Sequence, residues 1–453
     1  MKTIVSTVLL SAAVSFAAET EVPTSGTMPI DLATALKLGN ARNFQVALAK
    51  ERVSQAAAEL KQKEYLLIPT LSVGASWHHS EGRLQESGGR IREVSRSSAF
   101  FGGGAGAVGA GPIMQPGLNV TANLADIYFA PLAARQNHRA MKAASEATDN
   151  QVALQIAEAY FGLVRARAGV AVAEEAVKNT AELSKVTGDF AASGEGLQSD
   201  AQRARVEELI RQRGLEQAKE ALAVSVARLA QLLHLEAGVD LEPADANAAP
   251  VNLTDASKPV AALVAAALEN RPEVKQTASL VRRAEQDLKN VKYGRVVPNI
   301  SVGVSGGGMG GGVGGGIGRT DVRTDVNALV FWRWESFGLG DRQRVKAQRS
   351  VVAQAKYSQT GVMDAIVAQV RQSYAQVDSR QRQIAIAEAA VKSARQSYEL
   401  NRNRIYEKQG LPIEVLQAIQ SLAAARQLYV DTVTDYNQAQ FRLLTAVGSK
   451  SGN

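Results

Sequence analysis

Apolar residues recur at every seventh position along much of this chain. Ile156, Leu163, Val170 and Val177 form one series, with Ala159, Ala166 and Ala173 each three residues after one of its members. Helices that lie along one another in a left-handed supercoil show this recurrence. Residues 131–187, about 57 positions, would make a rod of roughly 85 Å at 1.5 Å per residue, longer than an ordinary globular domain. Glycines at 188, 194 and 196 interrupt the pattern, and a second helix is expected from about Ser199 to Leu235. A later series, Val370, Val377, Ile384, Val391, Tyr398 and Ile405, predicts another long helix over 342–408, a break at Gly410-Leu411-Pro412, and a last helix over 413–447.

Elsewhere the period falls from 3.6 to 2. Leu71, Val73, Ala75 and Trp77 alternate with Ser72, Gly74, Ser76 and His78, and Leu118, Val120, Ala122 and Leu124 with Asn119, Thr121 and Asn123. Each run predicts a strand of about ten residues with one apolar face and one small or polar face. Between them a polar, glycine-rich stretch reads as a long loop. A second pair follows the same rule: Ile300, Val302 and Val304, then Val326, Ala328, Val330, Trp332 and Trp334, with Leu329 and Phe331 breaking the polar face. The glycine tract 306–318 again reads as loop, some of its glycines extending the strands. Neither tract has the lysine and hydroxyl residue of a phosphate loop.

The two halves repeat. Pro298-Asn299-Ile300-Ser301-Val302-Gly303 echoes Pro69-Thr70-Leu71-Ser72-Val73-Gly74 at a separation of 229 (298 against 69), and Tyr374 echoes Tyr160 at 214. Short helices, strand, strand, long helix, turn and helix occur twice in the same order. The organisation expected is a signal peptide at 1–17, short helices at 18–66, a strand pair with its loop at 67–130, a long hairpin at 131–235 and a linker at 236–259. The second copy has helices at 260–294, strands and loop at 295–337, a hairpin at 338–447 and a tail at 448–453.

Composition narrows the function. Lys2, the apolar run 4–14 and Ser15-Phe16-Ala17 predict a cleaved secretory signal, and the chain has no cysteine for disulfides, thiolate metal sites or lipid attachment. A net charge of +7 spread over mixed-sign helices describes a solvated surface and excludes a nucleic-acid footprint. After the signal no apolar run reaches the 18 residues of a helical span. A membrane role must therefore use strands, and isolated strands in lipid must close into a barrel. Four strands are too few, whereas three copies supply twelve. Trp77, Tyr128, Phe129, Phe331, Trp332 and Trp334 at or near strand ends are the candidate aromatic girdle. His78, His79, His138 and His234 form no metal or catalytic pattern, there is no Gly-x-Ser-x-Gly or His-Glu-x-x-His motif, and no cofactor or enzymatic activity is expected.

Taken together, the doubled plan, Phe190, Gly194, Leu197, Ser199 and Asp200 at the first helical turn, and Gly410, Leu411, Glu414 and Leu416 at the second make the chain similar to the TolC-like outer-membrane efflux and secretion channels. Asn270-Arg271-Pro272-Glu273, the looser run 40–44, and Ser336-Phe337-Gly338 followed by Arg342, Arg344 and Lys346 add to the resemblance. It implies a homotrimer with a twelve-stranded barrel in the bacterial outer membrane, continued by a helical tunnel through the periplasm. The helical tips would meet a periplasmic adaptor coupled to an inner-membrane transporter, and Asp200 and Glu414 are candidates for charge at the entrance. The alternative is a soluble periplasmic coiled-coil adaptor or structural protein.

Overall fold

The computed structural model describes residues 26–106, 113–236, 238–244, 249–254, 258–407 and 409–448. The signal at 1–17 and the tail beyond Gly448 lie outside them. In chain order the elements are β1 (Gly26–Ile30), α1 (Leu32–Arg42), α2 (Phe44–Glu64), β2 (Thr70–Leu71), β3 (Val73–Gln85), β4 (Ile91–Gly106), β5 (Ile113–Pro116) and β6 (Leu118–Asn123). Then come α3 (Leu124–Ala192), α4 (Gln198–Leu233), β7 (Val239–Pro243), α5 (Val260–Asn270), α6 (Pro272–Gly294), β8 (Asn299–Val313) and β9 (Thr320–Phe331). A 3-10 turn (Glu335–Gly338) leads into α7 (Leu339–Tyr406), and α8 (Pro412–Val447) is last.

The chain divides into two compact units. One comprises Met1–Gly39, Gln155–Pro250 and Gln383–Asp435; the other comprises Asn40–Leu154, Val251–Arg382 and Tyr436–Asn453. In the first unit the heptad residues Ile156, Leu163 and Val170 are buried. A Cβ on Gly39 would come within 2.0 Å of Ile156 Cδ1, so a larger residue here requires the end of the Ile156 side chain to turn away. The segment expected as a linker holds β7, which pairs in parallel with β1. Neither strand has a strand signal in the sequence, because both are short and contain Pro29 and Pro243.

The second unit contains the sheet. β4 and β6 lie end to end along one edge of β8, Arg96–Gly103 opposite Val313–Gly306 and Leu118–Asn123 opposite Val304–Asn299. β9 follows the other edge of β8 from Asn299↔Phe331 to Gly310↔Thr320. β3 and β2 line the far side of β4 and β6. Six of the seven strands thus form four antiparallel courses, with β2/β3 and β9 outermost, and β5 pairs with the end of β4. Residues 79–106, expected as loop, form most of a hairpin, and the glycines of 306–312 extend β8, as part of that tract was expected to do. Along the course shared by β4 and β6, Gly103 of β4 meets Gly117, the residue just before β6. A Cβ on Gly117 would lie 2.4 Å from the Gly103 backbone.

The long helices also start earlier than their proline and glycine signals suggested. α3 begins at Leu124 and carries Pro131 inside it, because Asn123 caps the start by accepting from the Ala125 N–H at 2.8 Å. Arg271 precedes Pro272 at the start of α6, is 8% exposed, and holds Glu273 and Gln369 through its guanidinium. Residues 251–254 are tied to α8: the Val251 N–H donates to Asn437 and the Thr254 N–H to Gln440, while the Tyr436 hydroxyl bonds Asn252.

Candidate functional site: helical tips and sheet surface

The two helical turns are built alike. In the first, the Glu195 and Gly196 N–H groups both donate to the Phe190 carbonyl at 2.9 Å; in the second, those of Gln409 and Gly410 donate to the Arg404 carbonyl at 2.9 and 3.0 Å. The next helix then opens with Asp200 N–H donating to Leu197 O in one and Glu414 N–H to Leu411 O in the other, both at 3.0 Å. Gly196 and Gly410 are equivalent because a side chain there would press on the preceding helix: a Cβ would lie 2.9 Å from Phe190 Cβ and 3.1 Å from Arg404 Cβ respectively. Gly194 has φ +75°, a second reason for glycine in the first turn. Gly196→Val and Gly410→Val are each expected to destabilise their hairpin by roughly 1–3 kcal/mol through overpacking, read as an earlier helical melting transition by circular dichroism.

Leu197 and Leu411 stand exposed at equivalent positions of the two turns. Ser199 is exposed in the first turn of α4. Leu416 is not available to a partner; it is buried with Val415, Ile419, Leu183, Ala204 and Ile405 in the cluster that packs the hairpins together. The candidate entrance charges are not bare carboxylates. Asp200 lies 3.6 Å from Arg203, and Glu414 3.2 Å from Arg404.

A cluster that the sequence did not disclose joins α3 to α7 just behind the turns. The Glu182 carboxylate accepts from the Tyr406 hydroxyl at 2.6 Å and from Arg402 Nη2 at 2.8 Å. The Tyr406 hydroxyl, then Arg402, hold the Glu182 carboxyl below the usual carboxylate range. Under the 214-residue repeat, Arg402 corresponds to Gly188 and Tyr406 to Ala192. The one available signal was therefore a local failure of the repeat, not a motif.

The sheet sorts its residues into two faces, with Leu329 and Phe331 the exceptions on the polar one. Ala122, Ile300 and Val330 form one cross-strand row, Val120, Val302 and Ala328 the next, and Leu118, Val304 and Val326 a third. This face is exposed: Val73 and Val326 are both 73% accessible. Phe101, also on it, lays its ring over Gly308, where a Cβ would come within 2.3 Å. The opposite face carries Asn119, Gly303 and Asn327, then Thr121 and Ser301, whose hydroxyls are 2.9 Å apart.

The aromatic candidates do not share one setting. Trp77 lies on the exposed apolar course and stacks on His79. Trp332 and Trp334 continue the spacing of Val330 beyond the strand, with their indole N–H groups bonded to the Val296 and Arg295 carbonyls at 3.1 and 3.2 Å. Tyr128 and Phe129 belong to α3, not to a strand, and Phe129 stacks on Tyr293. Phe331 pairs with Asn299 and so projects on the polar side. Among the described residues, no helix is long and apolar enough to cross a membrane.

Residues 263–449 match the family model described as outer membrane efflux protein. No curated protein matches by sequence. Several solved structures share the fold. The Campylobacter jejuni CmeC outer membrane channel is 16% identical, with a TM-score of 0.73 over 93% of this chain and 87% of that one. The outer membrane protein VceC of Vibrio cholerae is 16% identical, with 0.71 over 92% and 96%. The open state of the Neisseria gonorrhoeae MtrE outer membrane channel is 14% identical, with 0.71 over 92% and 89%.

Proposed function

We propose that this chain, which matches the outer membrane efflux protein model over residues 263–449 and shares the fold of outer-membrane channels along nearly its whole length, is the exit duct of an efflux or secretion machine in the bacterial outer membrane. The observation that carries this reading is a four-course sheet with an exposed apolar face, a small and polar opposite face, and an outer course on either side. Such a sheet in water would expose apolar surface and strand edges together. Placed in lipid and joined edge to edge with two further copies, it closes a twelve-stranded barrel with its apolar face outward. From Val322 to Trp332 the course advances about 33 Å along the strand, or about 25 Å of membrane thickness at a tilt of about 40°. Trp77 marks one margin of this band and Trp332 with Trp334 the other. Tyr128 and Phe129 lie beside the second margin, and Phe331 takes no part.

The duct does no covalent chemistry. Helices of 69 and 68 residues supply roughly 100 Å of rod for the periplasmic tunnel. Leu197 and Leu411 are the apolar contacts offered to a periplasmic adaptor, which couples the duct to an inner-membrane transporter. Phe190, Gly194, Ser199 and Gly410 shape the turns around them, and Asp200 and Glu414 place charge at the entrance. The organisation is a strand region at 67–130 and 295–337 and a helical hairpin at 131–235 and 338–447, with the helix starts moved as described.

Planar-bilayer recording tests the reading. A purified duct inserts and conducts ions in discrete steps. A soluble adaptor or structural protein, the alternative, leaves the bilayer silent and is released from cells without detergent.

A further inference from the structure

Between the sheet and α7 the chain makes an unusual turn. Ser336 (φ 50°, ψ 48°) and Phe337 (φ 55°, ψ 31°) are both left-handed, and Gly338 follows at φ 86°. Two successive non-glycine residues in this region are strained, and such strain persists where surrounding contacts over-determine it. Here they do. The Glu335 N–H donates to the Asp341 carboxylate at 3.2 Å, the Glu335 carboxylate pairs with Arg344, and the Leu339 N–H returns to the Glu335 and Ser336 carbonyls. The product of this construction is a phenylalanine that is 102% exposed.

Besides the Glu335–Arg344 pair, exposed apolar residues flank it in sequence on both sides. Trp332, Trp334 and Leu339 are exposed and apolar, with both indoles pinned to the α6–β8 connection. Immediately afterwards Arg342, Lys346 and Arg349 recur at i, i+4 and i+7, all exposed on one face of α7. Apolar and aromatic side chains bordered by cations are the composition of a surface that sits in the headgroup layer of an anionic membrane. The surface also continues the apolar course of Val326 and Val330 without a break in sequence.

We infer that the Glu335–Gly338 turn is a membrane anchor, seating Phe337 at the headgroup boundary of the periplasmic leaflet with Arg342, Lys346 and Arg349 directed to anionic phospholipid phosphates. This rests on the reading of the sheet as membrane-spanning. Rigid attachment here fixes the depth of the barrel at the point where strand becomes tunnel helix.

The absence of cysteine from the chain makes the test direct. Phe337→Cys and Val326→Cys are each labelled with a nitroxide, and the full chain is reconstituted in vesicles of phosphatidylethanolamine with phosphatidylglycerol. Both labels are expected to collide more with oxygen than with a water-soluble nickel chelate. A Val326 label in lipid with a Phe337 label in water overturns the anchor alone; both labels in water overturn the spanning sheet. A Phe337 label shielded from both reagents means that it packs against a second copy, which also overturns the anchor. Replacing phosphatidylglycerol by phosphatidylcholine is expected to move the Phe337 label toward water, and the triple change Arg342→Gln, Lys346→Gln, Arg349→Gln to abolish that dependence on lipid charge. A label equally deep in both lipids overturns the assignment to anionic phospholipid.

Discussion

A Gly307→Val chain is expected to lose the sheet and with it any stable assembly, while Gly315→Val behaves as the parent. A Cβ at Gly307 would lie 2.3 Å from the Phe101 carbonyl oxygen and 3.0 Å from Gly102 Cα. Both are backbone atoms of the neighbouring course, so no side-chain rotation relieves the clash. Overpacking a core against movable side chains costs about 1–3 kcal/mol; here the β4–β8 pairing itself must separate. Gly315 has nothing within 4 Å of its Cβ position and serves as the control. The readout is the amount of protein in the outer-membrane fraction and its mass in detergent. Normal yield and mass for Gly307→Val would show that the two courses are not paired as described.

Glu182→Ala is the second large effect expected, an increase in channel conductance from loosening the tips. Two charge-assisted hydrogen bonds are removed at once, each worth about 1.5–3 kcal/mol when buried and toward or below 1 kcal/mol at a site as solvated as this one. Tyr406→Phe removes one of them and is expected to give a smaller increase. Acid should imitate the mutation. The charged carboxyl is the partnered form and its folded value is lowered, so the link is complete above about pH 4.3, the ordinary glutamate value, and is lost as pH falls through the depressed value. Conductance recorded across that window rises in the parent and stays flat in Glu182→Ala. An unchanged parent would mean that the link does not restrain the entrance.

The helices were legible because apolar heptads at Ile156–Leu163–Val170 and Val370–Val377–Ile384 are a strong periodic signal. The turns were legible because both need glycine. Strands were legible only where β-branched and apolar residues alternate with small polar ones, as in Val302 and Val304. Residues 79–106 give no such contrast: their outer half is charged and their inner half is glycine-rich, so the pairing of β3 with β4 and of β4 with β8, and not local preference, makes them strand. β1 and β7 depend on each other across more than 200 residues. Glu182 and Arg402 are likewise far apart in sequence, and charged residues are common along both helices. What selects this pair is the packing of α3 against α7, which no local pattern encodes. Leu416 was misplaced for the opposite reason: nearness to a turn suggested exposure, but its helical phase turns it into the cluster with Leu183 and Ile405.

The central claim is that three copies share one barrel, and the mass of the detergent-extracted protein tests it most directly. Multi-angle light scattering, corrected for bound detergent, is predicted to give a particle of three chains, each of 48.0 kDa, or somewhat less where the expected signal is cleaved. A water-soluble monomer or dimer, recovered without detergent, would contradict the account and return the sheet to a periplasmic domain.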